Sequence, residues 1–558
     1  MADNAPLWMP TGHDVAMLGP LWVLVGTLVA LLLGATCVYG RNWRAAGTVA
    51  ILGALATAVF SLRGFSHATA GPWAGFAPTG HAPMLIADQF SYFFTFLIAV
   101  FLALVAGLWV LGHGTAPERQ PGRKVDATEF FVLFVGSAFG MALMVSTTNL
   151  LMILLAIEMA SLPSFAIAGF RKKHRMAAEA SVKYVLFGAV TSAIMVYGVS
   201  LLYGQYQTLD LTEIGRAMAA QAALTGSTAL MGVSLFALLI GVAFKVSAVP
   251  FHFWCPDVFQ GASIEVTTWL SVASKAAGLG LMLRIMTAIS AGFPSAPALE
   301  GSLYWVSLAI GIMAAVTCTV GNLSAFWQTN MKRLLAFSSI AHAGYMLMAV
   351  AILWHPAAAG HAGAAHPAFS AIAAYLVVYL FMNLGAFGVV AVVYWSTGKE
   401  TIDAFNGLGH RNPALALMMA VCLFSLVGLP PLGGFIAKWY LLLALYDGGL
   451  VWLIFVVVFN TLISLYYYAR IARAMYFVSD EGQERIRVPA AGGLTIAVCA
   501  VVVLLAGTLW AGHLREFSDA RSRGLYNVGR QVSVPALTDR AATAASLTEL
   551  VHPHAPDR

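Results

Sequence analysis

Charge is what this sequence has least of: Asp, Glu, Lys and Arg make up 10% of its 558 residues, against about 25% in an ordinary soluble protein. That shortage excludes a soluble enzyme. Cysteine is sparse too, and Cys37, Cys255, Cys318, Cys422 and Cys499 stand singly without C-x-x-C spacing. Cysteine alone therefore offers neither an iron–sulfur cluster nor a structural zinc site. No Gly-rich phosphate loop is present, so nucleotide binding has no support. Redox or ATP chemistry, if this protein takes part in any, falls to another chain. The start, Met1 to Asp14, has Asp3 and no basic n-region, so the first apolar run reads as a retained membrane helix and not as a cleaved signal.

Long hydrophobic runs are what the chain has in abundance, at 60% hydrophobic residues. A spanning helix needs about 20 apolar residues, and the runs predict fourteen spans. They fall near 17–39, 45–62, 86–111, 130–147, 149–169, 178–203, 230–251, 264–289, 303–326, 332–354, 368–395, 413–446, 449–476 and 491–512. The formal net charge of +6 sits mostly in loops. Alternate loops hold the basic residues: Arg41 and Arg44; Arg119, Arg123 and Lys124; Arg171, Lys172, Lys173 and Arg175; Lys332 and Arg333; Lys399 and Arg411; Arg470, Arg473, Arg485 and Arg487. By the positive-inside rule both termini lie outside the cytoplasm, which needs an even number of spans. The polar stretch 513–558 reads as an extension with little structure of its own.

The informative charges are those inside the spans. Lys183, Lys245, Lys275, Lys438 and Glu158 all fall in apolar runs, and a charge at a helix centre costs about 2.5–3.5 kcal/mol on insertion scales. Lysines near a helix end escape that cost by snorkelling, which suits Lys183, a few residues beyond Glu179. It suits Lys245 and Lys438 less, because each adjoins Pro and Gly residues that break a helix: Gly241-Val-Ala-Phe-Lys-Val-Ser-Ala-Val-Pro250 and Gly428-Leu-Pro-Pro-Leu-Gly-Gly-Phe-Ile-Ala-Lys438. Broken backbone is tolerated at membrane depth only where it faces protein or an aqueous cavity.

Repeats drawn at 130–302 (helices 4–8) and 303–476 (helices 9–13) each place their break in the fourth of five helices. A five-helix unit repeated once inserts in opposite orientations, as in inverted-repeat transporters. Residues 1–129 then form a three-helix N-terminal segment and 477–512 a last helix. The fold class expected is all-α and integral to the membrane, with discontinuous helices 7 and 12. Buried lysines and one carboxylate suit a proton relay, since burial and opposite charges push their proton affinities in opposing directions. A sodium site would ask for clustered oxygens, and an anion path for Arg forks. His252, after Pro250, and His342, in the tenth span, are possible relay members. His355, His361 and His366 are too widely spaced for a convincing metal site. Tyr466, Tyr467 and Tyr468 read as an interfacial aromatic belt and Arg284 as an outer-end anchor.

Several stretches carry a resemblance: Ile157-Glu-Met-Ala-Ser-Leu, Ala180-Ser-Val-Lys-Tyr-Val-Leu-Phe-Gly-Ala, Ala243-Phe-Lys-Val-Ser-Ala-Val-Pro-Phe-His-Phe-Trp-Cys-Pro-Asp-Val-Phe-Gln-Gly-Ala, Gly321-Asn-Leu and Gln328-Thr-Asn-Met-Lys-Arg-Leu-Leu-Ala-Phe-Ser-Ser-Ile. Over roughly residues 85–480 the chain resembles the subunit N family of bacterial NADH:quinone oxidoreductase, the complex I subunit 2 family of antiporter-like membrane proteins. A tail of 513–558 supplies no long lateral helix of the L branch, and lysine at the twelfth-helix position differs from the glutamate usual in the M branch.

The resemblance implies a proton-translocating, multi-pass subunit of a translocase in the bacterial inner membrane. Glu158, Lys183, Lys245, Lys275 and Lys438 would be its relay residues. It also implies that this chain carries no cofactor, with FMN, iron–sulfur clusters and quinone in partner subunits. The partners would be adjacent antiporter-like and small membrane subunits. Where family members commonly continue with Pro-Thr, this chain has Ser263-Ile264-Glu265-Val266-Thr267, so Glu265 is an additional charge. Two other readings stand beside this one. One is a homologous subunit of a cation/proton antiporter, membrane-bound hydrogenase or inorganic-carbon uptake complex. The other is a non-transporting membrane scaffold, which could place leucine where the lysines stand.

Overall fold

A computed structural model describes residues 12–38, 42–68, 73–75, 83–112, 127–225, 229–292, 297–355, 365–478, 485–486, 488–509 and 512. The polar tail and His361 lie outside the described residues, and of His366 only the backbone is described. Thirteen helices are long and apolar enough to cross a membrane, and a pair of shorter ones makes the fourteenth crossing. In chain order the spans are Gly19–Cys37, Trp43–His67, Gln89–Gly112, Ala127–Met144, Leu150–Ala168, Arg175–Tyr206, Ala229–Val246 continued by Trp254–Gly261, Ile264–Ala291, Pro297–Ala325, Met331–Ala351, Ala365–Thr397, Pro413–Val427 continued by Gly433–Asp447, Val451–Phe477 and Ala490–Thr508. A short hairpin pairs Trp73–Gly75 with Leu85–Ala87, and the helix Leu211–Thr225 follows the sixth span.

Burial separates inner from outer helices. In the eighth, tenth and eleventh spans 94%, 100% and 89% of the apolar window is buried, against 28% in the sixth. These three form the axis of the bundle. The sixth and thirteenth spans face outward with Val182, Leu186, Val190, Phe455, Phe459 and Leu462 exposed, as lipid contact requires.

The seventh run is not one helix. Its first half ends at Val246, Ser247 takes a left-handed φ of 64°, and helix resumes at Trp254. The freed backbone finds partners: the Trp254 indole N–H donates to the Phe244 carbonyl, 3.1 Å, and the Val249 N–H donates to Thr317 Oγ1, 2.9 Å, on the ninth span. The twelfth span stops at Gly428, whose φ is 89°. A Cβ there would sit 3.0 Å from Cδ of Lys438, so glycine serves both the left-handed cap and the lysine stem. The Gly434 N–H donates to Ser425 Oγ, 3.0 Å, closing the break.

One local device occurs in both repeats. Asn149 caps the fifth span by accepting from the Leu151 and Met152 N–H groups, and Asn330 caps the tenth by accepting from Arg333 N–H. Each asparagine also forms an isolated antiparallel bridge with the segment after the next span: Asn149 with Asp210, Asn330 with Thr401. Five crossings separate the two asparagines, so they lie on opposite faces of the membrane. The repeat is inverted.

Three expected surface residues lie inside. Arg284 is 2% exposed. It donates bidentately to Asp88, at 2.5 and 2.8 Å, and also to the Val145 carbonyl, 2.8 Å. It ties the eighth span to the third and fourth, because a guanidinium at that depth needs acceptors on every side. In the tyrosine triplet only Tyr466 faces outward; Tyr467 and Tyr468 are buried, held by Asn322 Oδ1 and Ser338 Oγ respectively. Removing one member of a buried pair leaves a desolvated charge, a loss of about 3–5 kcal/mol. Arg284→Ala and Asp88→Ala should therefore each lower the thermal unfolding temperature in detergent. Arg284→Met with Asp88→Leu should lower it less than either single change; equal or greater loss in the double variant would show that the pair does not dominate this region.

Candidate functional site

Of the four span lysines predicted from sequence, Lys245, Lys275 and Lys438 occupy the interior, and two of these meet helix ends. A helix that stops inside the membrane leaves up to four carbonyls without intrahelical donors, and its C-terminus carries a partial negative charge that favours a cation. Lys245 lies in the last turn of Ala229–Val246 and is 2% exposed. Its ammonium faces the rings of Phe165 and Phe244, each at 5.7 Å. Lys438 approaches its half-helix from the other side of the break. Its ammonium donates to the Val427 carbonyl, 2.8 Å, and to Thr461 Oγ1, 3.1 Å, and lies 4.5 Å from the centre of the Tyr345 ring.

Lys275 differs from both. It sits in mid-helix on the eighth span, fully buried. Its Nζ has no hydrogen-bond acceptor among the described residues and faces the Phe259 ring at 5.5 Å. A desolvated ammonium over a ring face gains about 2 kcal/mol or more, well short of replacing water.

Glu158 does not meet a lysine directly. It is half-buried, accepts from Ser192 Oγ at 2.6 Å, and lies within electrostatic reach of Lys245. No ion pair within 4.0 Å joins it to Lys245 among the described residues. Lys183 is not part of the buried series: its side chain is 38% exposed and pairs with Glu179 at 2.8 Å and Asp257 at 2.7 Å. Asp257 also receives Arg333 at 2.5 Å. The snorkelling alternative describes Lys183 better than mid-membrane burial does.

His342 is buried beside the axis, its Nδ1 2.7 Å from the Tyr375 hydroxyl and its ring 5.1 Å from that of Tyr379. It lies within electrostatic reach of Lys438. His252 sits in the seventh-span break, 6% exposed, with Nδ1 lacking a partner among the described residues. His355 lies at the end of the tenth span, its ring 6.0 Å from that of Tyr304.

Sequence reasoning missed Ser192, Asp257, Tyr345, Tyr375 and Thr461. The only signal was for Asp257, a carboxylate inside an otherwise apolar block. The others are ordinary hydroxyl residues whose role depends on which distant helix packs beside them. Half-buried Glu158 and buried Lys245, Lys275, His342 and Lys438 make a series of ionisable side chains on the fifth, seventh, eighth, tenth and twelfth spans. All its members are ionisable residue types, and aromatic rings, hydroxyls and helix-end carbonyls lie around them.

Comparison with known proteins agrees with this architecture. Residues 147–464 match the family described as NADH:quinone oxidoreductase/Mrp antiporter, TM. The chain is 40% identical over 454 residues to NADH-quinone oxidoreductase subunit N of Anaeromyxobacter sp. (strain Fw109-5), covering 77% of this chain and 83% of that protein. It is 44% identical over 443 residues to subunit N 2 of Sorangium cellulosum (strain So ce56), covering 78% and 83%. Its fold matches a chain of respiratory complex I from Thermus thermophilus with bound aureothin, with a TM-score of 0.69 and 29% identity over 89% of this chain and 98% of that one. A chain of the Mrp complex from Dietzia sp. DQ12-45-1b shares the fold at a TM-score of 0.75 and 19% identity, covering 93% and 98%. The chain belongs to the NADH:quinone oxidoreductase/Mrp antiporter membrane family, within its NADH-quinone oxidoreductase subunit N group.

Proposed function

We propose that this chain is the proton-translocating subunit N of a respiratory NADH:quinone oxidoreductase of the translocase class. It moves protons through the buried series while partner chains oxidise NADH and reduce quinone. The observation that carries the reading is the placing of the Lys245 and Lys438 ammonium groups at interrupted helices in an interior that also buries Lys275 and His342. A scaffold gains nothing from such residues, because leucine would pack there without desolvation. Relatives named as subunit N favour the oxidoreductase over other assemblies of the family. FMN, iron–sulfur clusters and quinone belong to the partner chains, and antiporter-like and small membrane subunits are its neighbours. We read the chain as lying in the bacterial inner membrane with both termini on the non-cytoplasmic side; the alternation of basic and non-basic loops supports that orientation.

In this mechanism Glu158 stabilises the protonated form of Lys245 when charge is present on both. Neutralising or redirecting that carboxylate releases the lysine proton inward, toward Lys275. His342 and its tyrosine neighbours bridge to Lys438, whose carbonyl and hydroxyl acceptors hold a proton before its discharge. The proposed domain boundaries follow the same logic: 1–129 is an N-terminal segment, 130–302 and 303–476 are the two repeats, 477–512 is a closing helix and 513–558 is a tail.

Three outcomes test the reading. In the assembled complex, Lys245→Ala should reduce vesicle proton uptake by about tenfold or more, as expected for a positioned acid–base group. Lys183→Ala should cost less than about fivefold, the limit for a partly exposed ion pair of about 1 kcal/mol. Equal losses at equal complex content would contradict the ranking.

Pumping should proceed in sodium-free buffer, because the buried cations repel a second cation and the site lacks the oxygen-rich cage that a hard metal ion requires. A strict sodium requirement would reassign the ion.

Lys438→Arg should impair pumping although charge is kept, because guanidinium stays protonated. Glu158→Gln should change the pH profile of coupled turnover as well as its rate. Parallel measurement of pumping and NADH-driven quinone reduction across pH checks both. Normal pumping with a normal profile in Lys438→Arg would remove that lysine from the relay.

A further inference from the structure

Glu265, the extra charge of the Ser263-Ile264-Glu265 segment, is 3% exposed and sits in the first turn of the eighth span. Its surroundings are ionic. Lys332, 0% exposed, lies within its electrostatic reach. Lys332 pairs with Glu400 at 2.7 Å and donates to the Ala262 carbonyl at 2.8 Å. Arg171 donates to the carbonyls of Gly261 and Ala262, at 3.1 and 3.2 Å. Arg333 and Lys183 converge on Asp257 just before it in the chain. Two carboxylates, Glu265 and Glu400, thus attend one buried ammonium at the face that carries the basic loops.

From Glu265 a polar stripe runs inward. Residues 265, 268, 271 and 275 follow steps of three, three and four, which places them on one helix face. All four are buried: Glu265, Thr268, Ser271 and Lys275. Ser271 Oγ accepts from the Asn383 amide of the eleventh span, 3.0 Å, and donates to the Thr268 carbonyl, 2.6 Å. Thr268 Oγ1 donates to the Ile264 carbonyl, 2.7 Å. The stripe ends at Lys275, the ammonium without an acceptor among the described residues. Ten residues of helix separate the two ends, about 15 Å. That takes the path from the membrane face to mid-depth, and it joins the buried series at its middle and not at the Glu158 end.

We propose that Glu265 is a proton-loading carboxylate on the basic-loop side, feeding Lys275 along this stripe. The proposal rests on the relay reading of Lys275 given above. The step moves one proton: the O–H bond of protonated Glu265 breaks, hydroxyls of the stripe and intervening water carry the proton, and an N–H bond forms on neutral Lys275. Lys332 is the resident cation that keeps Glu265 ready to be reloaded, with Glu400 as its second partner. Glu265 thereby gives the series a second point of supply, independent of Glu158.

Glu265→Gln and Glu265→Asp in the assembled complex test this, with proton uptake and quinone reduction measured per complex across pH, alongside Lys245→Ala and Lys438→Arg. Expected is a loss of about tenfold in uptake for Glu265→Gln, a changed pH profile, and recovery of most of the rate and profile by Glu265→Asp. Normal uptake and profile in Glu265→Gln would overturn the proposal. So would a fall confined to complex content, with unchanged rate per complex, since that marks a purely structural ion cluster. If Lys245→Ala and Lys438→Arg are impaired while Glu265→Gln is normal, only this inference fails; if those two also pump normally, the relay reading itself fails.

Discussion

A polypeptide cannot end a helix inside a bilayer without giving its last carbonyls something to bind, and the interior of this protein is organised around that requirement. Three half-helices stop at membrane depth or just inside the face, at Val246, Gly261 and Val427. Each end has a cation: Lys245 in the last turn of the first, Arg171 and Lys332 on the carbonyls of the second, and Lys438 on the carbonyl of the third. At the second and third ends the cations bond the carbonyls directly, and at the first Trp254 and Ser274 bond the carbonyls of Phe244 and Lys245. Each helix-end dipole makes the buried cation more tolerable. What looks like an expensive set of charges in an apolar chain is one half of a mutual arrangement.

The same arrangement suits proton movement. An ammonium held by a full carboxylate partner at close range would be fixed in charge, whereas one held by carbonyl dipoles, ring faces and a hydroxyl is held more weakly. Lys438 has Val427, Thr461 and Tyr345 around it and Lys245 has two phenyl rings. By contrast Lys183, close to the surface, has two carboxylates within 3 Å. The difference between these lysines lies in their acceptors and not in their own side chains.

That contrast also marks how far the sequence could be read. Fourteen crossings, the breaks beside Pro250 and Pro430, and the mid-span lysines follow from hydropathy and helix-breaking residues, both local properties. Arg284 and the tyrosine triplet were misplaced because a lone arginine or tyrosine near a predicted helix end looks the same whether it meets headgroups or another helix. Asp88 lies 196 positions from Arg284 in the chain and Asn322 lies 145 from Tyr467, beyond any window of local pattern. The hydroxyl that Glu158 accepts from belongs to Ser192, a residue that no local pattern distinguishes. The inverted repeat, faint in residue identity, is plain in the matching Asn149 and Asn330 caps, since backbone geometry persists where side chains have diverged.

The bond from Val249 to Thr317 and the ion contacts from Lys332 to Ala262 each run from one repeat to the other. The two halves are therefore mechanically tied: a substitution that shifts the ninth or tenth span in one half moves a partner of the interrupted helix that carries Lys245 in the other. The chain therefore behaves at this seam as the two sides of one interface do, where neither side can shift without the other.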